Sequence, residues 1–226
     1  MGAPVEAVDF YFDAMCPWAY RASCWIREVR RQTGLSVNWR FFSLEEVNRE
    51  EGKRHPWERP WSYGWSQLRV AALLRREGQD LVDRWYQAAG AGFFEQGRPT
   101  FTLSGAEDVI TALGLPRSTV ADAIEDPSTA DEVRADHDRL VSRFGGHGVP
   151  TIVFDDTDAF FGPVILTPPE GDAATRLWEL VLGWRQFPDL YELRRPKSDS
   201  DMEAIGRSFA TYLGARRWRT VENPAR

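Results

Sequence analysis

Residues 7–18 read AVDFYFDAMCPW, and the change of periodicity inside this stretch decides the fold. Val8, Phe10 and Phe12 fall on one side of an extended segment, the period-two pattern of a strand with a buried face. The alternation stops at Asp13. Beyond Cys16 and Pro17 the apolar residues Trp18, Ala22, Trp25, Ile26 and Val29 recur at helical spacing. Pro17 suits a first helical position, whose N–H has no intrahelical partner in any case, and Gly34 suits the exit. Residues 35–42, LSVNWRFF, alternate again through Leu35, Val37, Trp39 and Phe41. The opening is therefore predicted as strand, helix, strand, and a helical crossover makes the two strands parallel.

Residues 43–146 show helical periodicity broken by turn signals and no alternating strand, which predicts an inserted all-helical subdomain. One helix is predicted to open on a capping box at Ser104, Gly105, Ala106 and Glu107. Another, over 129–144, carries Val133, His137, Leu140, Val141 and Phe144 on one stripe and is stopped by Gly145 and Gly146. Trp57, Trp61 and Trp65 recur every four residues and are expected to form a core stripe. GVPTIVFDD at 148–156 and DAFFGP at 158–163 predict a hairpin, followed by a helix over 171–186. One more amphipathic helix is predicted near 201–215, and its stripe of Ile205, Phe209, Tyr212 and Leu213 must cover either the body or the second subunit of a homodimer. The fold class is α/β in the order β-α-β, helical insert, β-β-α, with an extra C-terminal helix. Residues 1–42 and 147–190 then form one domain, 43–146 the inserted subdomain and 191–226 a tail.

The 226 residues carry a formal charge of −6 spread along the chain, so no basic face is implied and nucleic acid is excluded as a partner. No run of about 18 apolar residues predicts a membrane span. The start of the chain has no basic segment ahead of an apolar one, which gives the expectation of a soluble, cytoplasmic protein. Lys53 and Lys197 are the only lysines among 28 basic residues, a bias of GC-rich genomes that points to an actinobacterial origin. His55, His137 and His147 lack metal-ligand spacing, and Asp155, Asp156 and Asp158 lack the glycine and terminal glutamate of a calcium loop, so no metal site is expected. His137, on an apolar stripe, reads as an inward-facing core histidine. No dinucleotide, P-loop or serine-hydrolase motif is present.

Two cysteines in such a chain read as reduced thiols. Cys16 stands at the strand-to-helix junction, where unpaired N–H groups and the helix dipole favour a thiolate, so its pKa is expected below about 8.5. Cys24 lies eight residues further along the same predicted helix, about 12 Å up its axis, whereas a disulfide needs Cα atoms within about 7 Å. Cys24 cannot resolve Cys16 while that helix is intact. The fourth position of Cys16-Pro17-Trp18-Ala19 is alanine, so turnover of Cys16 as a nucleophile demands an external thiol.

The strand ending in FDAMCPWAY, the FF of the second strand, the helical insert and GVPTIVF followed by FFGP resemble the DsbA-like thioredoxin superfamily over about residues 6–195. The segment is most similar to the actinobacterial mycothiol-dependent nitroreductase and oxidoreductase branch. Kappa-class glutathione transferases and 2-hydroxychromene-2-carboxylate isomerases are cousins. The resemblance implies a thioredoxin fold and Cys16 as catalytic nucleophile. It also implies that Pro17 and Trp18 lie beside Cys16, that Pro150 is a cis-proline, and that Val149 presents its backbone to the ligand. The stretch 65–71, WSQLRVA, resembles the start of a helix over the active site, which makes Trp65 and Arg69 candidate ligand-binding residues. No tightly bound cofactor is implied; mycothiol is the implied cosubstrate, beside a small electrophile or disulfide as substrate. Ala19 departs from the family's second cysteine, so a monothiol oxidoreductase is expected, with a non-redox transferase or isomerase, or a non-catalytic binding module, as alternatives.

Overall fold

The computed structural model describes residues 5–215. Strands β1 (Ala7–Phe12) and β2 (Ser36–Phe41) run parallel, with Phe10 opposite Trp39 and Phe12 opposite Phe41. Helix α1 (Pro17–Thr33) joins them, and it ends on Gly34 at φ +76, a left-handed conformation that glycine adopts without steric cost. On the other edge of β1 lies β3 (Thr151–Phe154), antiparallel, with Ile152 opposite Phe10. Strand β4 (Asp158–Phe161) pairs antiparallel with β3, so the sheet order is β2-β1-β3-β4. The hairpin between β3 and β4 turns on Asp155 and Asp156, both at positive φ.

Between β2 and β3 the described chain is helical: α2 (Leu44–Val47), α3 (Trp65–Arg75), α4 (Gln79–Gly90), α5 (Leu103–Ala112), α6 (Thr119–Glu125) and α7 (Pro127–Phe144). A 3-10 turn at Pro56–Glu58 and a π-helical turn at Ala91–Glu95 interrupt the series. After β4 come α8 (Asp172–Trp184), α9 (Asp199–Ser208) and α10 (Ala210–Ala215). None of the helices in the described residues is long and apolar enough to cross a membrane.

The two faces of β1 explain how the sheet is buried. Period two sends Phe10 and Phe12 to one side and Tyr11 to the other, and none of the three reaches solvent. Phe12 stacks on Tyr86 of α4 with ring centroids 4.0 Å apart, and Trp39 stands edge-on to Phe10 and Tyr86. On the opposite face the Tyr11 hydroxyl accepts a 2.7 Å hydrogen bond from Arg139 of α7. Helix α8 covers α1, where the Trp25 indole N–H donates to the Ala174 carbonyl at 3.0 Å. One apolar core runs from the sheet into the inserted helices through Phe42, Leu68, Val109 and Leu140.

Several local expectations need correcting. Helix α5 is capped by Thr102, whose hydroxyl accepts from the Gly105 N–H at 3.1 Å, and not by Ser104, which lies inside the helix. The Pro99 carbonyl and Thr100 occupy the space where a side chain at Gly105 would stand, so only glycine fits there. Helix α7 begins at Pro127 on an Asp126 cap rather than at 129. Trp57, Trp61 and Trp65 do not share a helix: Trp57 sits in the 3-10 turn, Trp61 in a loop and Trp65 at the head of α3. The single helix expected near 201–215 is two, broken at Phe209, and α9 opens on a capping box of Ser198 and Asp201.

Candidate active site

The site begins with a buried carboxylate. Asp13, closed off from solvent, accepts the Met15 N–H and the Leu44 N–H at 2.7 Å each, tying the end of β1 to the end of β2. The Cys16 N–H donates to the Asp13 carbonyl at 3.0 Å, and Cys16 itself is the N-cap of α1. Its sulfur accepts from the Ala19 N–H at 3.4 Å and donates to the Val149 carbonyl at 3.5 Å. Val149–Pro150 is a cis peptide bond, as is Gly162–Pro163. The Thr151 hydroxyl donates to the Gly148 carbonyl at 2.8 Å and fixes the strand entry.

A cleft of about 420 Å³ opens at this junction. Cys16, Pro17, Trp18 and Val149 line it, while Pro150 is buried behind Val149. Trp65 and Arg69 are elsewhere. Trp65 is buried at the head of α3, where its backbone N–H donates to Glu45 at 2.9 Å, and it borders a second cavity with Trp57 and His137. The Arg69 guanidinium donates to Thr129 Oγ1 at 2.9 Å and to the carbonyls of Ile124 and Asp126 at 2.8 and 2.9 Å, stapling α3 to the α6–α7 junction.

Sequence reasoning missed several walls of the cleft: Leu44 and Asn48 from the α2 region, Phe161 from β4, and Ile205, Phe209, Tyr212 and Leu213 from the tail. The last four are the stripe that had to be buried somewhere, so the signal was present without its destination. His147 also lines the cleft, its ring 5.1 Å from that of Phe161. His137 is an inward histidine whose Nδ1 accepts from the Ser43 N–H at 3.2 Å. The turn carboxylates are ion-paired: Asp155 and Asp158 with Arg185, Asp156 with Arg139 and Arg143.

The electrostatics of Cys16 reverse the expectation of a lowered pKa. Burial pushes the thiol up to about 12, the Asp13 carboxylate adds to the rise, and the N–H groups of Ala19 and Trp18 only partly oppose it. The helix start supplies its donors as foreseen, but desolvation of the anion outweighs them. Cys16 is 4% exposed, and its proton rests on the Val149 carbonyl. Cys24 is half-buried with a thiol also raised by burial, and both cysteines are free.

A β-α-β, β-β-α sheet with a cysteine at the first helix start, facing the residue before a cis-proline, defines a thioredoxin fold, and DsbA-like proteins are among the solved structures that share it. The chain belongs to the Rv2466c-like family of mycothiol-dependent nitroreductases, whose model matches residues 15–195. It is 49% identical over 217 residues to the uncharacterized protein Rv2286c of Mycobacterium tuberculosis, covering 96% of this chain and 94% of that one. It is 26% identical over 181 residues to 2-hydroxychromene-2-carboxylate isomerase of Sphingobium xenophagum, covering 67% and 90%. Among solved structures, a probable DsbA oxidoreductase from Streptomyces coelicolor superposes with a TM-score of 0.56 at 18% identity, over 85% of this chain and 94% of that one.

Proposed function

We propose that the chain is a cytoplasmic monothiol oxidoreductase in which Cys16 is the nucleophile and mycothiol resolves its adduct. The observation that carries this reading is the environment of one sulfur: Cys16 caps α1 against Val149, and Ala19 supplies only a backbone N–H where a resolving thiol would stand. Cys24 is on the same continuous helix, so an internal bridge would require unwinding α1. In the first step Cys16 sulfur attacks one sulfur of a disulfide, a new S–S bond forms as the old one breaks, and the thiol proton passes to the departing thiolate. In the second, the external thiol attacks the mixed disulfide, leaves as a new disulfide and returns Cys16 reduced. Pro17, Trp18 and Val149 form the binding surface beside the nucleophile. Membership of a mycothiol-dependent family supports mycothiol as the cosubstrate.

A second reading is a non-redox transferase or isomerase, in which a bound thiol adds to the substrate and Cys16 is never oxidised. The similarity to an isomerase and the burial that keeps Cys16 protonated favour it. Intact-mass measurement after incubation with mycothiol disulfide separates the two. A mass increase mapped to Cys16 is the expected result, and an unmodified Cys16 with the thiol bound noncovalently would establish the second reading.

A further inference from the structure

The family match ends at residue 195, yet the Cys16 cleft is completed by residues beyond it. A strap over about residues 187–198 without regular structure carries the chain back across the molecule, with Tyr191 and Leu193 largely exposed. Helix α9 has no fully buried residue of its own, and the break at its end turns Phe209 inward to 5% exposure. There the Phe209 ring meets Trp18 edge-on, with centroids 4.7 Å apart and planes at 90°. Arg21 of α1 donates to the Ser208 hydroxyl at 3.4 Å beside it. Ile205, Tyr212 and Leu213 extend the same wall. None of the described residues lining the cleft is Asp, Glu, Lys or Arg, and its volume suits a small molecule.

We infer that α9 and α10 form a substrate-selecting wall of the Cys16 cleft, with Phe209 and Tyr212 as specificity-determining residues for flat, uncharged small molecules that lie against Trp18. The inference rests on Cys16 being the nucleophile. An aromatic face gains by stacking on Trp18 and Phe209, whereas a ligand rich in carboxylates meets no Lys or Arg among the described residues of the cleft and loses its hydration there. The tail also closes the cleft over the sulfur, consistent with the raised pKa of the thiol.

The test uses the full chain carrying Cys24→Ser, so that Cys16 is the only thiol. Its rates of reaction with 2,2′-dithiodipyridine, flat and uncharged, and with oxidised glutathione, which bears carboxylates, are each divided by the rate of N-acetylcysteine with the same disulfide. In either exchange Cys16 sulfur bonds to one probe sulfur, the probe S–S bond breaks, and the proton leaves with the released thiol. The parent is expected to prefer the dipyridyl probe, and Phe209→Ala to lower that preference about tenfold, the loss of one aromatic contact. Ile205→Ser, at a half-buried position on α9, lowers it by a smaller factor and keeps the test valid if Phe209→Ala fails to fold. A mixed disulfide formed with a preference unmoved in every folded variant overturns the wall and leaves Cys16 as nucleophile. No mixed disulfide with either probe overturns the nucleophile, and the wall with it.

Discussion

Raising the pH across the range where thiols ionise tests whether burial or the helix start governs Cys16. Burial pushes the Cys16 thiol from 9.0 up to about 12, so at neutral pH about a thousandfold less of it is thiolate. A more basic thiolate is also a better nucleophile, and a Brønsted slope of about 0.4–0.5 returns about 15- to 30-fold of that loss. The net expectation is that Cys16 reacts with a disulfide about 30- to 60-fold more slowly than a free cysteine at pH 7.5. Stopped-flow measurement of exchange in the Cys24→Ser protein gives the rate, and its logarithm should climb with unit slope from pH 7 to beyond pH 10. A plateau below pH 9, or a rate above that of free cysteine, would refute the claim that desolvation outweighs the Ala19 and Trp18 N–H groups.

Three substitutions probe other parts of the argument. Ala19→Cys places a thiol one turn from the nucleophile, where the Ala19 N–H already meets its sulfur at 3.4 Å. Oxidation should then consume two titratable thiols as an internal bridge, and a mixed disulfide persisting on Cys16 would count against the geometry. Gly90→Ala drives a methyl group into the ring of Tyr20, which stacks on Phe94 at 5.2 Å, and should cost about 1–3 kcal/mol in denaturant unfolding. An unchanged midpoint would mean that Tyr20 moves freely. Asp83→Leu strands Arg27, whose Nε lies 2.5 Å from Asp83 with both side chains mostly buried, and should lower stability by about 3–5 kcal/mol and Tm by roughly 10 °C. A loss below about 1 kcal/mol would show the pair to be solvated.

What could be read from the chain divides along locality. The switch from alternation in Val8, Phe10 and Phe12 to helical spacing after Pro17 is a local signal, and strand, helix and strand stand where it puts them. The position of Cys16 at the helix start was legible for the same reason. The sign of its pKa was not, because the N–H donors are neighbours in sequence whereas the groups that wall in the sulfur come from α2, the loop ahead of β3, β4 and the tail. The three tryptophans do join the core, Trp65 within it and Trp57 and Trp61 packed against it, but not along one helix: Pro56, Pro60 and Gly64 break the segment before any four-residue spacing can act. The tail stripe announced that it would be covered, but amphipathicity carries no address, and its place over Cys16 depends on a turn at Phe209 that no residue type dictates.

The pairing of β1 with β3 has a consequence during synthesis. β2 ends at Phe41 and β3 starts at Thr151, so about 110 residues must leave the ribosome before the second edge of β1 finds its partner. At about 5–20 residues per second that takes about 5–20 s, and α8, which shields Trp25, emerges later still. Throughout this interval the nascent chain presents an unpaired strand edge, a surface that chaperones bind and that aggregation exploits. The sulfur of Cys16, only 4% exposed at the cleft of the finished protein, is then open to any oxidant in the surroundings. Oxidative damage at this thiol should therefore fall mainly on newly made molecules, and a pulse of peroxide during translation should modify Cys16 more than the same pulse given after folding is complete.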